Sequence, residues 1–395
     1  GGHPLFVVEL LADLKERAAL VRDPSGAWII GDKLDWRNLP GRVEGAIAGR
    51  IGHLSAEQRW LLTIASVSGE QFLAEVVAHV AGADTRPIAQ ILSQDLQVQH
   101  HLVEAEGVER LGEQRLTRYR FRHNLIQVYL YEQLDEVQRT YLHEDVAKAL
   151  EALYGVETES ISVSLAAHYQ TAGVMQKAVE YLLLAGEQAM RLSAYDEATQ
   201  HFNQVLPLLA ALPETPEHQQ QAFTAQFNLG KIGEAVKGVG SQEAEVAYSQ
   251  ALTLGRQLGE SRQIIQVLLA LTYQAQFRSE SDTAQTYGKE ALHLAQELQD
   301  PELLMPANQA LQIIAMGLGQ HGNAVTYSEP VIAFYRSHQA TLTFDEVYNL
   351  VMTLGIAGLS LVPVGYPDRA LRQAQEGLAP VSYTHLRAHE TRSVI

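Results

Sequence analysis

The chain of 395 residues is 46% hydrophobic and 19% charged, the composition of an ordinary soluble globular protein of two or three domains and not of a disordered or fibrous one. Its 29 Lys and Arg stand against 46 Asp and Glu, and the net charge of −17 repels phosphate backbones and anionic membranes, so direct nucleic-acid partners are not expected. The absence of cysteine removes disulfides and thiolate chemistry, and no apolar run approaches the roughly 20 residues of a membrane span, so the expectation is a cytoplasmic protein without a membrane partner.

Gly1–Leu11, reading GGHPLFVVELL, sets Pro4 in the first turn of an amphipathic helix that carries Leu5, Phe6, Val8 and Leu11. Trp28–Ile30, after Pro24, Ser25 and Gly26, predicts a small hairpin, and Leu39-Pro40-Gly41 marks a boundary. Helices are predicted over Val43–Ile51 and from Ser55 onward, where Ser55-Ala56-Glu57-Gln58 reads as a capping box one residue short of ideal and Leu61, Leu62, Ile64 and Ala65 form the buried face. Two more follow at Gln71–Val80 and Thr85–Gln97, and alternating patterns at His101–Leu111 and Leu116–Arg122 around Gly112 predict a wing-like hairpin. Within the last strand Tyr119 and Phe121 alternate with Arg118, Arg120 and Arg122. Leu125, Val128, Tyr129 and Tyr131 then fall at helical spacing, with His123 and Asn124 on the switch. This order predicts a winged-helix domain over 43–134. That stretch carries eight Arg and no Lys against eleven Asp and Glu, and Arg86 is the single base in the would-be recognition helix 84–99, so DNA reading is not expected of it.

Glu136–Leu153 predicts a connector helix with Val137, Leu142, Val146 and Leu150 on one side, ended by Gly155. Behind it small residues recur at Ala198, Ala244, Ala284, Ala324 and Ala370, at intervals of 46, 40, 40 and 46, each followed eight positions later by Leu206, Leu252, Leu292, Ile332 or Leu378. These mark second helices of hairpins. Gly230, Ala270, Ala310 and Gly355 precede the last four by 14 or 15 residues and mark first helices. Small residues at fixed places let paired helices approach closely, as in tetratricopeptide repeats, although the period of about 40 is longer than the usual 34. The fold class expected is mainly α: a winged helix followed by a TPR-like α-solenoid of helical hairpins.

Several of these stretches resemble STAND signalling ATPases, in the bacterial branch linked to adenylate cyclase, kinase or LuxR-type regulators. GGHPL resembles their Gly-x-Pro-Leu motif near the end of the ATPase core, which implies that Pro4 packs by a nucleotide. Arg122-His123-Asn124-Leu125 stands where related NB-ARC proteins carry Met-His-Asp-Leu, whose His reaches the phosphates of ADP; this implies a nucleotide contact for His123, although Arg and Asn replace the Met and Asp. Ala166–Gly173 (AAHYQTAG) and Ser193–Phe202 (SAYDEATQHF) extend the resemblance into the repeats. The implied order is the end of the ATPase core and a linker over 1–42, the winged helix over 43–134, a connector over 135–159 and repeats over 160–380. The chain opens at Gly1, already inside a motif, and carries no P-loop, so it reads as a non-catalytic regulatory fragment. ATP or ADP with magnesium is implied for the full-length parent and no cofactor for this stretch. The implied partner is a protein or peptide on the repeats, with self-association in the parent. The other reading is a free-standing helical-repeat scaffold with a structural N-terminal cap.

Three patterns imitate sites. Gly317, Gly319 and Gly322 spell G-x-G-x-x-G but follow no strand, and are expected at a turn between repeat helices. Gly230-Lys231 lacks the upstream Gly of a P-loop and is followed by Ile232. His143-Glu144 begins like a zinc helix, yet position 147 is Ala, and the adjacent His100 and His101 point apart, so no metal site is expected. Residues 381–395 are locally basic and resemble translated sequencing-adapter read-through, and are expected to be non-native.

Overall fold

The computed structural model describes residues 43–112, 114–338 and 343–378, together with 11, 14, 15, 20–23, 26 and 28–30, and the fold is mainly helical. Pro4 and the 381–395 stretch lie outside the described residues. The chain divides into two compact units, 1–181 and 182–395.

In the first unit, β1 (Leu20–Arg22) and β2 (Trp28–Ile30) form the predicted hairpin, with Val21 opposite Ile29. Then come α1 (Val43–Gly52) and α2 (Ala56–Ser68). The box at the start of α2 is complete, not one residue short: Gln58 N donates to Ser55 Oγ at 3.1 Å and Ser55 N donates to Gln58 Oε1 at 3.0 Å. The helix expected over Gln71–Val80 is two elements, β3 (Gln71–Leu73) and α3 (Ala74–Ala81). The reason is tertiary. Phe72 pairs with Tyr119 across the sheet, and its ring lies 5.9 Å from that of Tyr119 and 5.3 Å from that of Phe121, all three being buried. An α-helical α4 (Thr85–Gln90) runs on as a π-helix over Ile91–Gln99.

The wing strands β4 (Val103–Leu111) and β5 (Gln114–Phe121) complete an antiparallel sheet in the order β3-β5-β4. The period-two pattern of β5 is met by its surroundings: Tyr119 and Phe121 enter the core, while Arg118 and Arg120 reach acids on β4, Glu109 at 2.9 Å and Glu104 at 2.9 Å. Beyond it lie α5 (Asn124–Glu132) and α6 (Glu136–Tyr154), the latter opened by a capping box between Asp135 and Gln138 and closed by Gly155 at φ 53°. Val137 is 64% exposed and does not share the buried side of Leu142 and Val146. Five residues at 3.6 per turn rotate it about 140° from Leu142, which the spacing count overlooked. A 3-10 turn (Gly155–Ile161) leads to α7 (Ser162–Thr171).

After α8 (Met175–Arg191), the second unit is built from α9 (Tyr195–Ala210), α10 (Pro216–Lys237), α11 (Gln242–Leu258), α12 (Ser261–Phe277), α13 (Ser281–Leu298), α14 (Pro301–Gly317), α15 (His321–Ser337), α16 (Phe344–Leu361) and helical residues 367–378. Ala198, Ala244, Ala284 and Ala324 are all fully buried, as the recurrence requires. The period is also written in side-chain bonds. Gln274 Nε2 donates to Glu234 at 2.7 Å, Gln309 Nε2 to the Asn349 carbonyl at 3.3 Å and Arg336 Nη2 to Glu376 at 2.6 Å, each pair 40 residues apart. One turn is reused: Glu280 N donates to Ala275 O, Gln320 N to Ala315 O and Tyr366 N to Leu361 O, with a left-handed residue just before each closing donor. Gly319, at φ 70°, fills that place, so the G-x-G-x-x-G run is a helix cap and turn. Two repeat positions depart from expectation. Gly355 is exposed while Leu354 and Ala357 are buried, because its interval of 15 in place of 14 rotates it about 100° off the packed face. Leu378 is 63% exposed at the end of the described helix.

Candidate functional site

Of the two residues singled out for a nucleotide, Pro4 lies outside the described residues. His123 is half-buried at the N-cap of α5, with extended backbone (φ −137°, ψ 128°), and its ring makes no capping bond to the helix. It therefore stands where the predicted strand-to-helix switch placed it, at a helix N-terminus whose dipole favours an anion. Among the described residues no group of three or more His, Asp and Glu could hold a metal ion. No helix among them is long and apolar enough to cross a membrane.

The structure instead assembles His143 with a residue that the sequence pattern did not pair it with. His143 Nδ1 faces His168 Nδ1 at 2.9 Å, and its Nε2 faces the Tyr131 hydroxyl at 2.9 Å. This ties α5, α6 and α7 through one polar chain. Burial pulls both imidazoles down from 6.5 to about 4, helped at His143 by the Arg139 charge and at His168 by His143, so both are neutral at pH 7. A second cluster lies nearby, on α6, α7 and α8. Tyr181 Oη donates to Glu151 at 2.5 Å, Lys177 Nζ stands 3.3 Å from the same carboxylate, and the Tyr169 and Tyr181 rings stack at 5.9 Å. Burial works to raise the Glu151 carboxyl, but bonds from Tyr181, Tyr169 and Lys177 hold it below its ordinary value.

In the second unit a groove of about 640 Å³ lies between α9, α10 and α11. Its walls are apolar, with Leu206 from α9, Leu229 and Val236 from α10 and Val246 from α11; Val236 and Val246 are 55% and 50% exposed. The helices that frame it meet closely because Gly230 and Gly233 leave room: a Cβ added at Gly230 would lie 2.5 Å from the Tyr248 ring, and one at Gly233 3.0 Å from Ala244 N. Along the rim Lys237 is bonded to Glu243, which leaves Asp196 as the unneutralised charge of the lining.

No family model matches the chain. An uncharacterised protein of Rhizobium meliloti (strain 1021) is 26% identical over 282 residues, which is 69% of this chain and 27% of that protein, so the chain spans about a quarter of that relative's length. Among solved structures, BtubC (BKLC) from P. vanneervenii aligns with a TM-score of 0.46 at 12% identity, over 64% of this chain and 93% of that one. A STAND protein with a tetratricopeptide-repeat sensor from Pyrococcus horikoshii aligns with a TM-score of 0.45 at 13% identity, over 97% of this chain and 62% of that one.

Proposed function

We propose that this chain is a non-catalytic regulatory region of a STAND-type signalling ATPase, whose repeats bind a protein segment and whose winged helix relates that event to the nucleotide state of the parent. The observation that carries the binding role is the groove between α9, α10 and α11. It is apolar, open and set in an acidic array: residues 182–378 carry 20 Asp and Glu against 10 Lys and Arg. Six of those ten cations, Lys237, Arg256, Arg262, Arg278, Arg336 and Arg369, are already paired with carboxylates of the same unit. The field that remains favours an apolar segment with basic flanks.

The winged-helix reading rests on the order α2-β3-α3-α4-β4-β5 and on the sheet order β3-β5-β4. The nucleotide reading rests on His123 at the N-terminus of α5. A bound nucleotide would supply an anionic phosphate there, and His123 would be its donor. The alternative, a free-standing repeat scaffold, shares the groove but gives His123 no ligand.

The test of partner binding is selection of random displayed peptides on the whole chain, followed by titration of the enriched peptides against the Val246→Asp variant. The expected result is enrichment of apolar peptides flanked by Lys or Arg, with affinity falling at least about tenfold in the variant and weakening with salt. Enriched peptides that are indifferent to Val246→Asp would overturn the assignment of the groove.

A further inference from the structure

The groove between α9, α10 and α11 has a shape that its occupant has to match. On α9 its wall is Asp196, Thr199, Asn203 and Leu206, and on α10 it is Gln226, Leu229, Gly233 and Val236. Both stripes step by three, four and three residues, so each wall is one face of a helix followed through about three turns. Glu243, Val246 and Gln250 carry the same stepping on α11. At about 1.5 Å per residue the groove is about 15 Å long.

Two physical arguments fix the conformation of what lies there. The first is volume. A helix about 10 Å across and about 15 Å long occupies about 1,200 Å³, so sunk to half its depth it displaces about 600 Å³, and the groove holds about 640 Å³. The second is hydrogen bonding. Ile232 and Ala247 are buried in the lining while Val236 and Val246 stand open on it, so the surface offers few partners to a backbone. An extended segment would press unpaired N–H and C=O groups against it, each at a cost in free energy, whereas a helix pairs its backbone internally.

Charge marks one end. Asp196 is in the first turn of α9, Lys237 in the last turn of α10 and Glu243 in the first turn of α11, so the charged residues of the lining gather at the same end of the groove. Lys237 and Glu243 are bonded to each other, which leaves the exposed Asp196 for a cation of the occupant. The opposite end, at Leu206, Gln226 and Gln250, carries no charge.

We infer that the occupant of the groove is an amphipathic α-helix of about three turns, its apolar residues spaced three and four apart and a Lys or Arg at the end that meets Asp196. This rests on the reading of the groove as a protein-binding site, and adds to it the conformation of the bound segment, its spacing and the place of its cation.

The probes are two synthetic peptides of about 15 residues and identical composition, each with four leucines and a terminal lysine pair. In one the leucines step by three, four and three; in the other they alternate with polar residues. Both are titrated by calorimetry into the whole chain and into its Val246→Asp and Asp196→Asn variants. Val246 and Asp196 are exposed, so both variants are expected to keep the fold, which melting curves check. The helical-pattern peptide is expected to bind at least about tenfold tighter than the alternating one and to lose that affinity in Val246→Asp. A lactam bridge that fixes its helix is expected to tighten it further, since less ordering is left to the binding step. Asp196→Asn is expected to weaken it about two- to fivefold, the size of an exposed ion pair, and to have no effect once the lysines are replaced by glutamines. If the helical-pattern peptide does not bind, or binds no tighter than the alternating one, the inference of a helix is wrong. Tight binding that Val246→Asp leaves unchanged would place the helix elsewhere and overturn the inference in the same way. The groove as a binding site stands or falls separately, on whether displayed peptides depend on Val246.

Discussion

Gly230 and Gly355 carry the same letter in the same repeat series, yet replacing each by Ala is expected to move stability in opposite directions. At Gly230 the new Cβ would sit 2.5 Å from Tyr248, where ordinary contact begins near 3.4 Å, so the ring has to retreat by nearly 1 Å. That ring is 1% exposed and packs 5.7 Å from Phe227, within a cluster that includes Ala251 and Leu252. Overpacking of this kind costs about 1–3 kcal/mol, and relief of the helix-interior glycine returns about 1 kcal/mol, for a net loss of up to about 2 kcal/mol. At Gly355 nothing lies within 4 Å of the new methyl, so only the propensity gain of about 0.5–1 kcal/mol remains. Urea unfolding of the whole chain, followed by circular dichroism, measures both as shifts of midpoint. Gly186→Ala, whose Cβ would meet Phe202 at 2.7 Å, serves as a second case of the first kind. Shifts of the same sign at Gly230 and Gly355 would refute the reasoning, because they would mean that Tyr248 yields freely or that Gly355 is packed.

The buried histidine pair sets a pH dependence of stability. Both folded-state values are depressed to about 4, so the stabilisation is complete above 6.5 and is lost as pH falls from 6.5 toward 4; at about 1.4 kcal/mol per pH unit this reaches about 3 kcal/mol per ring. Urea midpoints at pH 7 and pH 5 are expected to differ accordingly, and His168→Gln is expected to flatten that difference; an equal slope in the variant would remove the pair as its cause. The chain alone is expected to hydrolyse ATP no faster than a buffer blank, since the sequence holds no G-x-x-x-x-G-K-[ST] run, and turnover abolished by a substitution within the chain would contradict this.

What could be read from the sequence was whatever a local period imposes. The change from strand to helix at His123 was legible because Tyr119 and Phe121 keep period two up to Phe121 and the apolar residues of α5 follow helical spacing after it. Ala198, Ala244, Ala284 and Ala324 were legible because a close helix crossing excludes larger side chains at the same place in every hairpin. β3 was not. Its three residues are strand only because Tyr119 and Phe121 stand beside Phe72, and nothing in Gln71–Leu73 itself distinguishes them from the helix that follows. The His143–His168 contact joins residues 25 apart on two helices, so neither local spacing nor a metal motif announces it. The groove is likewise a property of three helices together; only Gly230, a small residue in the repeat series, hinted that α10 is closely approached.

The charge pattern of the repeats links their register to what they can bind. Arg262 to Glu302, Arg336 to Glu376 and Arg369 to Glu329 are ties between equivalent places 40 residues apart, at 3.3, 2.6 and 2.9 Å. The arginines are about half exposed, so each tie contributes no more than about 1 kcal/mol. Their effect on register is larger than their energy suggests, because a shift of one residue rotates each partner about 100° around its helix and breaks them together. The same ties neutralise these cations while half of the acids stay unmatched, so the array keeps a negative field that reaches about 8 Å at physiological salt. A device that aligns one hairpin on the next thereby also selects for basic partners, with Asp196 the acid left unneutralised in the lining of the groove.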